Sequence, residues 1–135
     1  MQEAIRLIKQ LQAAKGAKEK AQILSENKDN ETFKRILYYA CHPRLTYKVS
    51  EDRLNEIYVG EDFHKFADVF EVCDTLARNK AVSNLLLAGV LSFLRQQPEE
   101  ECEIYKQMLA KTLRLGVTHK SINKSIPDLL IDLSH

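Results

Sequence analysis

Phe66-Ala67-Asp68-Val69-Phe70-Glu71-Val72-Cys73-Asp74-Thr75-Leu76-Ala77 is the stretch whose reading decides the fold. Its apolar residues Phe66, Val69, Phe70, Cys73, Leu76 and Ala77 fall at i, i+3, i+4, i+7, i+10 and i+11. That is the stripe of an amphipathic helix, and it predicts one from Phe66 onward. Arg78-Asn79-Lys80 then breaks the pattern, and residues 84–96 are apolar nearly all round, as suits the central helix of an α domain.

Outward from this pair the helical period continues. Pro98 and the glutamates after it suit a first helical turn, Ile104, Met108 and Leu109 give that helix a core face, and Gly116 is placed as its C′ stop. A last short helix is expected from about Thr118, as N-cap, to Ile126, with Pro127 beyond. Upstream, Ile5, Ile8 and Leu11 mark a first helix that breaks near Gly16, and Lys18–Ser25 carries Ala21 and Leu24 at helical spacing. Asn30 caps a helix bearing Phe33, Ile36, Leu37 and Ala40, which must stop by Cys41-His42-Pro43 because the residue before proline leaves the α region. Leu45–Val49 is read as extended, with Tyr47 packed. Ser50-Glu51-Asp52-Arg53 looks like a helix start, and Leu54, Ile57 and Tyr58 could form one short apolar face. No repeat, linker or low-complexity tract appears. The reading is all-α: a single compact domain over residues 1–135, with about seven helices.

Composition agrees and narrows the function classes. The 135 residues are 44% hydrophobic and 29% charged, which suits a globular chain and not a disordered one. The most apolar run, Ala81–Leu94, is interrupted by Ser83, Asn84 and Ser92 and falls short of the ~20 apolar residues of a membrane span. No signal peptide is visible at Met1–Arg6. Cys41, Cys73 and Cys102 cannot all pair and form no C-x-x-C; Cys73 sits on an apolar helical stripe, so a reduced, buried thiol is expected for it and a cytoplasmic, intracellular protein with it. Cys41-His42 lacks a second ligand pair, so neither metal nor cofactor is expected. There is no G-x-S-x-G, H-E-x-x-H or Gly-rich phosphate loop, and His64 and His119 read as surface or capping residues. No catalytic residue is assigned, and the chain is not expected to be an enzyme.

The net charge of +1 hides a segregated pattern. Residues 1–48 carry a balance of +5, residues 49–77 one of −6, and residues 104–127 hold Lys106, Lys111, Arg114, Lys120 and Lys124 with no acid. A basic face and an acidic face are possible; mixed-sign solvated helices are the alternative. Within the acid-free stretch, Lys111-Thr112-Leu113-Arg114-Leu115-Gly116-Val117-Thr118-His119-Lys120-Ser121-Ile122-Asn123-Lys124 combines a helix end, a tight turn at Gly116 and the start of another helix. Such a corner offers free backbone N–H groups, close approach at Gly116, hydroxyls at Thr118 and Ser121, and cations at Lys120 and Lys124 with Arg114 nearby. A phosphate backbone is held this way without its bases being read. The bland reading is an ordinary helical corner with a solvated lysine face. Lys9 and Lys18 are read as lying off this surface. A second, weaker candidate is Arg78-Asn79-Lys80-Ala81-Val82-Ser83-Asn84, a basic, amide-rich turn into a helix.

With these turns placed, the chain resembles the N-terminal helical DNA-binding domain of bacteriophage ATP-dependent DNA ligases of the T-even type. The likeness lies in Lys18-Glu19-Lys20 through Ile23-Leu24, Asn27–Glu31, Lys34-Arg35, Tyr38 and Leu45-x-Tyr47. It returns in Thr75-Leu76-Ala77, Lys80 and Asn84, then in Leu113–Val117, Ile122-Asn123-Lys124 and Pro127. These pieces keep the family order over nearly the whole chain, while residues 50–74 match poorly. The resemblance implies an all-helical module of DNA repair and replication, of bacteriophage or prophage origin, gripping nicked duplex DNA across the minor groove, largely through phosphates. It implies contacts from Lys80 and Asn84 in one turn and from Gly116, Val117 and Asn123 in the other. Val82-Ser83 stands where the family commonly has Thr-Gly, which puts close phosphate approach there in doubt. The family's nucleotidyltransferase needs a K-x-D-G lysine, and no Asp-Gly occurs here, so sealing would need the catalytic domains of a parent ligase as partner. The other reading is a helical protein–protein interaction module that has lost DNA binding.

Overall fold

The computed structural model describes residues 1–56, 65–127 and 129. The described residues form eight helices and no strand. The chain divides into two compact units, Met1–Arg44 with Leu113–His135, and Leu45–Thr112.

The first unit holds α1 (Gln2–Ala13), α2 (Ala17–Glu26), α3 (Glu31–Cys41) and α8 (His119–Ser125). α1 packs on α2 and α3, and α2 packs on α8. Ile8, Leu11, Leu24, Phe33, Ile36, Leu37 and Ile122 are buried at this unit's core, at about 1.5–3 kcal/mol each for a fully buried side chain of this size. The local signals act as expected. The Asn30 side chain accepts from Phe33 N–H at 3.1 Å, and α3 ends with His42 as C-cap ahead of Pro43. Thr118 caps α8 by accepting from Ser121 N–H at 3.1 Å.

The second unit holds α4 (Glu51–Leu54), α5 (Val69–Arg78), α6 (Asn84–Arg95) and α7 (Glu99–Ala110). α6 is its central helix, buried at Leu87–Leu91, Phe93 and Leu94, and it packs on α7 and α4. Tyr47 is fully buried, as expected, but Leu45–Val49 is not extended throughout, because Lys48 takes a left-handed φ of 58°.

Three boundaries depart from the sequence reading. The Ser50 start closes into a helix of its own, one turn long, which raises the count to eight. Ile57, Tyr58 and His64 lie outside the described residues. α5 begins at Val69, not Phe66, because Asp68 takes the cap: its carboxylate accepts from Glu71 N–H at 2.9 Å, while Glu71 accepts from Ala67 N–H at 3.3 Å. This reciprocal pairing fixes the entry of the chain and leaves Phe66 outside the helix. α7 ends at Ala110, and its left-handed stop is Lys111 (φ 59°), not Gly116. A non-glycine residue holds that conformation here beside compensating contacts. The Lys111 ammonium lies 5.9 Å from the Tyr47 ring centroid, and Thr112 Oγ1 donates to Glu51 at 2.6 Å. Gly116 is thereby left to a turn of its own.

Candidate nucleic-acid interface

That turn lies in the first unit. Gly116 takes φ +70°, a left-handed conformation that a Cβ would strain. A Cβ built there would also collide with the Lys20 ammonium. Lys20 Nζ donates to the Leu115 carbonyl at 2.6 Å, and Gln12 Nε2 donates to the Arg114 carbonyl at 3.4 Å. Two successive carbonyls of the corner are thus held by side chains of α1 and α2. The backbone N–H groups of Gly116, Val117, Thr118, His119 and Lys120 have no acceptor among the described residues. These amides and the cap at Thr118 are what an anion-accepting corner needs.

Beside the corner runs a groove of about 600 Å³. One wall is α2, through Lys18, Ala21, Leu24 and Ser25; the other is the corner and α8, through Gly116, Val117, Thr118, Ser121, Lys124 and Ser125. Among the described residues, Lys18 and Lys124 are its charged members and no lining side chain is a carboxylate. A hollow of about 460 Å³ along α1 and α2 is of opposite character, lined by Glu19 and Glu26 with Gln10 and Gln22. α2 therefore segregates its charges: lysine and small residues toward α8, glutamates toward α1.

The structure brings together Gly116, Val117, Thr118, Ser121 and Lys124 of the residues singled out by sequence. Lys120, one turn before Lys124, is exposed on α8 outside the groove wall, Asn123 is half-buried, and Arg114 is exposed. Thr118 is not a spare donor, since its hydroxyl accepts from Ser121 N–H and donates to Ser121 Oγ, both at 3.1 Å. Lys18 is no bystander: it lies on the groove opposite α8, against the sequence reading that set it aside. Sequence reasoning also passed over Lys20. A cation in the first turn of a helix opposes the macrodipole, and Lys18 and Lys20 both occupy that turn of α2; this was the available signal.

The second candidate turn lies in the other unit. Lys80 and Asn84 are exposed, and Ser83 caps α6 by accepting from Leu86 N–H at 3.1 Å. The Val82 carbonyl accepts from Arg53 at 3.4 Å. Among the described residues no three His, Cys, Asp or Glu side chains come together as a metal site, and no helix is long and apolar enough to cross a membrane. Cys73 is buried, and that burial pushes its thiol up to about 12. Burial likewise raises the Cys102 thiol and the Tyr105 phenol, the latter with help from the Glu101 charge.

Neither a protein-family profile nor a curated protein matches the sequence. Among solved structures the chain is similar to one named Pmar-Lig_PreS3, with a TM-score of 0.72 at 22% sequence identity. The match covers 90% of this chain and 29% of that one, so the chain spans under a third of that protein's length. At this identity the likeness is one of fold.

Proposed function

We propose that the chain is a sequence-nonspecific module for duplex DNA, nicked duplex in particular, held through its phosphates in the cytoplasm. The observation that carries this reading is the groove between α2 and α8. Among the described residues it places Lys18 and Lys124 on facing walls without a carboxylate, beside a glycine corner whose amides have no acceptor. Such a site attracts a polyanion by charge, accepts phosphate oxygens by N–H and O–H groups, and offers little that would read bases.

The name of the similar structure contains "Lig", in keeping with the ligase-type resemblance of the sequence, and the coverage of 29% suits a module of a larger enzyme. In that setting this chain positions the nicked duplex for the catalytic domains of a parent ATP-dependent ligase, and the nucleotidyl-lysine chemistry belongs to those domains.

Titration of a fluorescently labelled nicked duplex at several salt concentrations tests the proposal. Affinity is expected to fall steeply, with a log–log slope of about 0.9 for each phosphate neutralised. Negligible binding at low and high salt alike would overturn it. Lys124→Glu is expected to weaken binding far more than Lys9→Glu.

A further inference from the structure

Lys20 would ordinarily be counted as one more cation for the phosphates, but its surroundings say otherwise. It is half-buried, and its ammonium donates at 2.6 Å to the carbonyl of Leu115, a buried residue 95 positions along the chain. The same ammonium fills the space in which a side chain at position 116 would start. Lys20 and Gly116 therefore interlock: the absence of a Cβ admits the ammonium, and the ammonium fixes the peptide that precedes the glycine. In a trans peptide the C=O and N–H point in opposite directions. With the Leu115 oxygen drawn toward α2, the Gly116 N–H must point away from Lys20. A charged donor on a partly buried carbonyl is worth more than most hydrogen bonds. It also keeps the cation satisfied in a first turn that the helix dipole disfavours.

We infer that Lys20 is the positioning residue of the corner, orienting the Gly116 amide through the Leu115 carbonyl and making no phosphate contact of its own. The inference rests on the DNA-binding reading for its consequence, though not for its geometry. Lys20→Met, which keeps the stem and loses the donor, should lower affinity for nicked duplex roughly tenfold, the equivalent of one charge-assisted hydrogen bond. The salt slope should stay that of the unsubstituted protein, because no phosphate contact is lost. Gly116→Ala should lower affinity further, because its φ of +70° strains any side chain whatever Lys20 does; adding Lys20→Met to it should cost little more, since the alanine already displaces the ammonium.

NMR without DNA reads the geometry directly. The Leu115 carbonyl carbon and the Gly116 amide should shift in Lys20→Met, while the remaining spectrum shows that the variant is folded. Unmoved Leu115 and Gly116 signals would overturn the inference even if DNA binding holds. A slope reduced by about 0.9 in Lys20→Met would also overturn it, by making Lys20 a direct phosphate contact. Shifted signals alongside unchanged DNA affinity would overturn the positioning role too. Shifted signals in a protein that binds no DNA at any salt would confirm that Lys20 orients the corner and refute the DNA-binding reading instead.

Discussion

The Gly116 corner and the Arg78–Asn84 turn have the same outline in sequence: basic residues, a tight turn, a hydroxyl and a new helix. They are built differently. At Gly116 the backbone is left-handed, two carbonyls are tied down by Gln12 and Lys20, and a second helix adds Lys18 across a groove. At the other turn Ser83 is extended (φ −70°, ψ 164°), its hydroxyl is engaged as the cap of α6, and Val82 accepts from Arg53. The first arrangement is a scaffolded corner that suits an anion; the second is an ordinary capped helix entry with an exposed lysine. A basic turn becomes a binding site when distant parts of the chain add cations and fix its backbone, and a local motif does not report that.

The largest effect expected from this contrast is on DNA affinity. Reversing both groove lysines (Lys18→Glu with Lys124→Glu) should weaken binding roughly a hundredfold at low salt, while the corresponding Lys→Ala pair should lower the salt slope by about 1.8. Lys80→Glu should cost only a few-fold by the same electrostatic argument. Anisotropy titrations on labelled nicked duplex decide it: a Lys80 loss equal to that of the pair would move the binding surface to the other unit.

This is also where the sequence was least informative. Helix identities were legible because hydrophobic period and capping residues act within one turn. Asn30, Thr118 and the apolar run of α6 each sit where their local chemistry requires. The boundaries that moved did so for two reasons: a cap that apolar spacing alone does not register, and contacts of longer reach. Asp68 and Glu71 set the start of α5, and the Tyr47 and Glu51 contacts accompany a left-handed lysine at the end of α7. One half of the site, Gly116 to Lys124, was visible as a motif. The other half, Lys18 and Lys20 on α2, lies some hundred residues away along the chain, as the separation of 95 between Lys20 and Leu115 shows. Nothing local to Lys18-Glu19-Lys20 states which helix it will face.

The two regions should also respond differently to alkali. Cys73, on the helix that leads into the Arg78–Asn84 turn, has a folded-state pKa raised by burial from 9.0 to about 12. Folding therefore favours its protonated form. That contribution is fully present below about 9, and it is lost as pH rises toward 12, because the unfolded thiol ionises first. Cys102 and Tyr105 act in the same direction. Urea midpoints are expected to fall between pH 8.5 and 10.5, and to fall less in Cys73→Ala. An equal fall in both would remove the thiol from the account.

Smaller effects come from the caps. Thr118→Ala should destabilise by about 1 kcal/mol through the lost bond to Ser121 N–H, and Ser83→Ala by a similar amount through Leu86 N–H. Their consequences for DNA should part. Loss of the Thr118 cap loosens the corner and should lower affinity several-fold by the same ~1 kcal/mol, whereas loss of the Ser83 cap should leave affinity nearly unchanged. Thermal melts beside binding titrations separate stability from binding.

Ser83→Gly gives the smallest expected change and the sharpest comparison, because it restores the glycine that the ligase-type resemblance leads one to expect. Glycine at an N-cap costs only a few tenths of a kcal/mol relative to serine. The backbone at Ser83 is in the ordinary extended region, so nothing there calls for glycine on conformational grounds. What glycine would add is nearer approach of a ligand to the peptide. If the Gly116 corner is the principal phosphate site, that nearness is of little consequence, and affinity should change by no more than about twofold, the equivalent of a few tenths of a kcal/mol. A gain well beyond that would mean that Ser83, by its bulk, holds DNA away from a surface otherwise ready to take it. The Arg78–Asn84 turn would then be the stronger site in waiting, and the scaffolding around Gly116 would have to be explained by stability alone.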